Sequence, residues 1–137
     1  VKKMACFQDD LTVATKHRRE IVLITDRVED IVKKSGVESG ICLVFAKHTT
    51  CAVTINEAAD PTVRQDMLAA FEFISPYLKE YRHMEGNSPA HVLTSLVGPS
   101  EVIPVRDGKL ALGTWQGIYL CEFDGPRTRR VCVQVLG

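Results

Sequence analysis

Three of the four histidines in this chain stand in or beside stretches dense with polar residues. His48 follows the apolar run 41–46 and precedes Thr49-Thr50. His83 lies within Tyr81-Arg82-His83-Met84-Glu85-Gly86-Asn87, and His91 falls at about the third residue of a segment opened by Ser88-Pro89. His83 and His91 are eight residues apart, near enough for both imidazoles to converge, whereas His48 joins them only through tertiary folding. Three neutral imidazoles with an open fourth position are the shell of a catalytic zinc site. No HExxH-type spacing accompanies them, and a lone histidine is more often a surface or hydrogen-bonded residue.

Acids supply a second possibility. Asn56-Glu57 ends one apolar segment just before Asp60-Pro61. A carboxylate partly withdrawn from water has a raised pKa, which suits Glu57 to general base work. Asp60 is read as a helix cap, and Asp66 and Glu72 as solvent-facing charges. Phosphate recognition is a third. The helix start at Ser88-Pro89, with Gly86-Asn87 before it, offers free backbone N–H groups to an anion. Arg127, Arg129 and Arg130 stand beside a Gly-Pro turn and form either a bidentate phosphate clamp or a solvated turn. Trp115, the single tryptophan, sits between two glycines as core packing or as a pocket wall.

The elements that position these residues follow from periodicity and punctuation. Strands are expected at 11–15 and 20–25, with the charged turn 16–19 between them. Asp26 and Glu29 look like an N-cap and its reciprocal carboxylate, followed by Val28, Ile31 and Val32 at helical spacing and closed by Gly36. The run 41–46 reads as a strand buried on both faces, and 51–56 as a strand that comes back after it. Asp60-Pro61 starts a helix whose buried face is Val63, Met67, Ala70, Phe71 and Ile74. Residues 75–87 are a loop. A short helix from Ser88-Pro89 is carried by Val92, Leu93, Leu96 and Val97 and ended by Gly98-Pro99. Asp107-Gly108 marks a hairpin, Pro104 an edge or bulge, and 117–123 with 130–136 the last strand pair. In that final strand Val131, Val133 and Val135 share one face. The sum is an α+β fold: a largely antiparallel or mixed sheet of about eight strands with three helices, in a single domain over 1–137.

The chain has 137 residues, 17 Lys plus Arg and 17 Asp plus Glu, for a formal net charge of zero. That balance, and the lack of interleaved basic and aromatic residues, argue against a nucleic-acid partner. No apolar run approaches the roughly 18 residues of a membrane span, so no membrane partner is expected. The first residues lack the apolar core of a signal peptide, and the five cysteines form no CxxC pair. They read as reduced, mostly buried small hydrophobes of a cytoplasmic protein, with Cys51 beside His48 a nucleophile candidate of lower standing.

Together Lys47-His48-Thr49-Thr50-Cys51-Ala52, Asn56-Glu57 with Asp60-Pro61, Tyr81-x-His83, Ala90-His91 and Leu112-Gly113-Thr114-Trp115-Gln116-Gly117 resemble the YjbQ-like family, also labelled the secondary thiamine-phosphate synthase family. The likeness runs from about Leu11 to Val135. It implies a small α+β homotrimer with one site per subunit, at or near a subunit interface. It also implies a weak thiamine-phosphate synthase activity, in which a hydroxymethyl-pyrimidine diphosphate alkylates a thiazole phosphate. His48, His83 and His91 match the family's histidines and look like a shared metal or anion site, with zinc the expected divalent ion. On this reading Glu57 and His48 are catalytic, and Thr49, Thr50, Asn56, Asn87, Gln116 and Arg127 hold a phosphorylated metabolite. The alternatives are metal-assisted phosphoester hydrolysis and non-catalytic binding of such a metabolite. Two departures stand out: the stretch between His83 and His91 is shorter than in many relatives, and Cys51 replaces a commoner Ala or Ser.

Overall fold

The computed structural model describes residues 3–137. The elements run β1 (Cys6–Ala14), β2 (Glu20–Leu23), α1 (Thr25–Ser35), β3 (Ser39–Ala46), β4 (Cys51–Glu57), α2 (Pro61–Ile74), α3 (Ser88–Val97), β5 (Ser100–Arg106), β6 (Lys109–Leu110), β7 (Gln116–Glu122) and β8 (Thr128–Leu136). Every strand pairing is antiparallel among the described residues. The strands form two sheets, one of order β1-β8-β3-β5-β6 and one of order β2-β7-β4. The α+β class with eight strands and three helices is as expected.

The sheets are not built from hairpins. Strands β3 and β4, expected to double back on each other, lie in different sheets, and so do β7 and β8. Each connection at these points carries the chain from one layer to the other. Among the described residues only β5 and β6 form a tight hairpin, through Asp107 (φ 52°) and Gly108 (φ 72°). Both central residues sit at positive φ, as a two-residue hairpin of the twist-compatible kind requires. Pro104 stands on β5 where β6 has already ended, so its missing N–H breaks no ladder.

Burial follows from this layering. The main core lies between the sheets: Val131, Val133 and Val135 on one side, Val53, Ile118 and Leu120 on the other, and Val28, Ile31 and Val32 of α1 beside them. A second core covers the other face of the small sheet, where Tyr119, Cys121 and Phe123 meet Leu93 of α3 and Met67, Leu68 and Phe71 of α2. Strand β7 is therefore the one buried on both faces, in place of β3. Strand β3 buries Cys42, Val44 and Ala46 but leaves Ile41 and Phe45 exposed, because none of the described residues covers them on the outer face of the large sheet.

Three helix expectations change. Asp26 does not cap α1: Ile24 occupies the cap position without a side-chain bond, Thr25 Oγ1 accepts from Ile118 N–H at 2.8 Å, and Glu29 accepts from Leu110 N–H. Gly36 does end α1, in the left-handed region. Asp60 does cap α2, accepting from Thr62 N–H at 2.9 Å, but that helix is peripheral, with Ala70 and Ile74 exposed. In α3 the buried side chains are Pro89, Ala90, Leu93 and Thr94, with Val92 and Leu96 at the surface.

Candidate functional site

Four segments converge at one end of the molecule: the 47–50 connection, the 75–87 loop with the first turn of α3, the 123–127 connection, and the start of β8. Between them is a cleft of about 460 Å³ lined by Lys47, His48, Thr49, Thr50, His83, Glu85, Asn87, His91, Arg127 and Arg129. The three histidines singled out by sequence thus share one cleft.

His48 is positioned by the sheet edge itself. Lys47 N–H donates to Arg130 O, and Arg130 N–H, beyond the last backbone acceptor of β3, donates to His48 Nε2 at 2.8 Å. The imidazole therefore acts as one more rung of the ladder. Burial, then the positive field of Arg129, holds its pKa below the ordinary value. It is neutral at pH 7, with the proton on Nδ1. His83 and His91 meet edge to face, ring centroids 5.3 Å apart, and Glu85 Oε1 lies 3.8 Å from His83 Nε2.

Beneath the cleft is a buried ion pair that the sequence reading did not single out. The Glu122 side chain is fully buried and Arg129 is 3% exposed. Arg129 Nε donates to Glu122 Oε1 at 2.8 Å, while its terminal nitrogen reaches Glu122 Oε2 and Thr50 Oγ1. Thr15 Oγ1 donates to the same carboxylate at 2.7 Å, and Asp124 N–H also reaches it. The network ties the end of β1, the 47–50 connection and the ends of β7 and β8 into one floor. Sequence held a signal for it: Arg129 shares the inward period-2 face of Val131, Val133 and Val135, and a cation on a core face requires a buried partner.

The other expected residues divide. Thr49 is free on the rim, but the Thr50 hydroxyl is taken by Arg129. Arg127 lines the cleft and is held by Asp124 through Nε to the backbone oxygen at 2.8 Å and a terminal nitrogen to Oδ2 at 2.9 Å. Asn87 Nδ2 donates to the same Asp124 Oδ2, so Asp124 bridges two of the converging segments. Buried Asn87 Oδ1 has no protein donor among the described residues. The α3 N-terminus offers less than expected to an anion, because Pro89 has no N–H and the N–H groups of Ala90 and His91 turn back to Asn87 O.

Asn56, Glu57 and Gln116 are not in this cleft. Cys51 begins β4 beside Glu122, and Glu57 ends it opposite Gln116, a separation of about 20 Å along the strand. There Asn56 Oδ1 accepts from Glu57 N–H and Gln116 Oε1 from Gly113 N–H, both local structural bonds. Trp115 is 63% exposed at that same end, neither core nor a wall of the histidine cleft. Cys51 is fully buried and burial pushes its thiol up to about 11, which removes it as a nucleophile at neutral pH.

The donor set does not match a three-imidazole metal shell. His48 Nε2 is already engaged by a backbone N–H, and among the described residues no three His, Cys, Asp or Glu side chains are grouped to hold an ion. Arg129 is paired with Glu122 and Arg127 with Asp124, so what the cleft offers an anion is a set of donors: the Lys47 ammonium, the Arg127 guanidinium, the Thr49 hydroxyl and the imidazoles.

A sequence-family model described as UPF0047 protein YjbQ-like matches residues 9–137. The chain is 48% identical to the UPF0047 protein YugU of Bacillus subtilis over 128 residues, covering 93% of this chain and 97% of that one. It is 44% identical to a UPF0047 protein of Methanocaldococcus jannaschii, with 91% of each chain covered. Among solved structures it superposes on a YbjQ-like protein of unknown function from Sulfolobus solfataricus with a TM-score of 0.94, at 40% identity over 98% of this chain and 99% of that one. An uncharacterised protein of Clostridium acetobutylicum gives 0.90 at 46% identity, covering 93% and 98%.

Proposed function

The chain belongs to the UPF0047 YjbQ-like family, and from its donor-lined histidine cleft we propose that it is an enzyme acting on a small phosphorylated metabolite. The observation that carries the reading is the joint presence of Lys47, Arg127, His48, His83 and His91 around one cleft. Lys47 and Arg127 neutralise phosphate charge, Thr49 contributes a hydroxyl, and His48 donates from Nδ1 because its Nε2 accepts from Arg130. The adjacent His83 and His91 hold or move a proton at the leaving oxygen. Glu57, about 20 Å of strand away, takes no part in this site within one subunit.

The reaction to test first is the alkyl transfer of the resemblance. The bond between the hydroxymethyl carbon and the diphosphate oxygen breaks and diphosphate leaves with the electron pair. The thiazole nitrogen then bonds to that carbon and becomes cationic. Incubating the protein with hydroxymethyl-pyrimidine diphosphate and thiazole phosphate should release pyrophosphate, and His91→Ala should abolish it. Release of inorganic phosphate from the substrates, in its place, would reassign the chemistry to ester hydrolysis. Saturable binding with no turnover would make the protein a binder.

The assembly proposed is the homotrimer, in the cytoplasm, where five free cysteines stay reduced. Ile41, Phe45 and Val102 lie together on the uncovered face of the large sheet, 39–54% exposed, and a second copy of the chain is the surface proposed to cover them. Light scattering on Ile41→Glu should show a smaller particle than the wild type. An unchanged mass would place the interface elsewhere.

A further inference from the structure

The histidine cleft has a neighbour. A second cleft of about 310 Å³ is lined by Thr12, Lys47, His48, Thr128 and Arg130. Lys47 and His48 line both clefts, so the two share one wall. The donors of the smaller cleft are set by sheet register: Thr12 pairs with Arg130, and Thr128 lies two residues before Arg130 on the same outward face. Arg130 is exposed and enters no ion pair among the described residues. The nearby acid, Asp10, lies 3.9 Å from Lys47. A guanidinium fork flanked by two hydroxyls and an ammonium is a donor set for a phosphate.

We propose that this smaller cleft is a second phosphate subsite, formed by Arg130, Thr12 and Thr128, that holds a second phosphorylated substrate against the Lys47–His48 wall. The proposal rests on the reading of the larger cleft as the first phosphate site. Hydrolysis of one ester needs one phosphate subsite and a water. Transfer between two phosphorylated molecules needs two subsites that adjoin, and these clefts adjoin at Lys47 and His48. The second subsite therefore selects transfer over hydrolysis.

The test is titration of the ¹⁵N-labelled protein with inorganic phosphate, following backbone amides by NMR. Two groups of amides should shift and saturate separately, one at Thr49, His83, Asn87 and His91 and the other at Thr12, Thr128 and Arg130. Arg130→Gln should weaken the second step by about tenfold, as loss of one charge-assisted contact implies, and leave the first unchanged. His91→Ala should do the reverse. A single step that Arg130→Gln does not alter, or a second step that survives it at full affinity, overturns the second subsite and leaves the proposed function standing. No saturable shift at either cleft overturns both.

Discussion

Replacing Glu122 by Gln tests the floor of the cleft. The change leaves the Arg129 guanidinium, 3% exposed, without its counter-charge, and removes an acceptor for Asp124 N–H or for Arg129 itself. Breaking one partner of a buried ion pair costs about 3–5 kcal/mol, and Gln keeps one acceptor oxygen, so the low end, about 3 kcal/mol, is expected. For a chain of this size that lowers Tm by roughly 10 °C. The pH dependence has a definite sign. Burial pushes the Glu122 carboxyl up, but hydrogen bonds from Arg129, Thr15 and Asp124 N–H outweigh it and hold the folded group below the usual carboxylate range. Its contribution is fully present above the unfolded value of about 4.3 and is lost as pH falls through the lower folded value. Urea denaturation followed by circular dichroism, at one protein concentration, should show the full gap between wild type and Glu122→Gln at pH 7. The gap should close as pH drops below about 4. The double variant Glu122→Gln/Arg129→Met should recover most of the loss, because an apolar replacement leaves no unpaired charge. A gap below about 1 kcal/mol at pH 7, or one that stays constant down to pH 3, refutes the argument.

His48 should titrate below an ordinary imidazole by NMR, with Nε2 unprotonated at pH 7, because burial and Arg129 disfavour its cation. Its contribution to stability is present above the unfolded value of about 6.5 and falls as pH drops toward the folded one; a His48 that titrates at or above about 6.5 would contradict this. Gly117→Ala should destabilise by about 1–3 kcal/mol in denaturant, since a Cβ there would stand 2.7 Å from Ala58 Cβ and 2.9 Å from Leu23 Cδ1. Iodoacetamide at pH 8 should alkylate exposed Cys6 first, and Cys42, Cys51 and Cys121 only on unfolding, because burial raises those thiols to about 12, 11 and 12. Mass spectrometry of the early adduct distinguishes the sites. Phosphate binding in the histidine cleft should survive treatment with EDTA; its loss, restored by zinc, would assign the histidines to a metal.

Local order was legible in the sequence wherever one residue type carries the reason for a structure. Gly36 ends α1 because a left-handed residue must follow that helix, Asp60 caps α2 because its carboxylate reaches an orphan N–H, and Asp107-Gly108 turns a hairpin because both tolerate positive φ. The inward face of Val131, Val133 and Val135 was equally plain, as was the kinship of the histidine motifs. What the tertiary structure decided was which strands share a sheet. Short apolar runs look alike whether they are buried on one face or two, so β3, expected to be buried on both faces, is buried on one, and β7 is the strand covered on both. The same ambiguity hid the sheet switch between β7 and β8 that places Glu122 under Arg129. The two ends of β4 show the limit best. His48, Thr49 and Thr50 lie just before it and Asn56 and Glu57 end it, so nearness in sequence suggested one site. An extended chain advances about 3.3 Å per residue, and seven residues of strand carried Glu57 to the opposite end of the molecule. Sequence named the chemistry-bearing residues; the rise of a strand and the stacking of two sheets determined which of them meet.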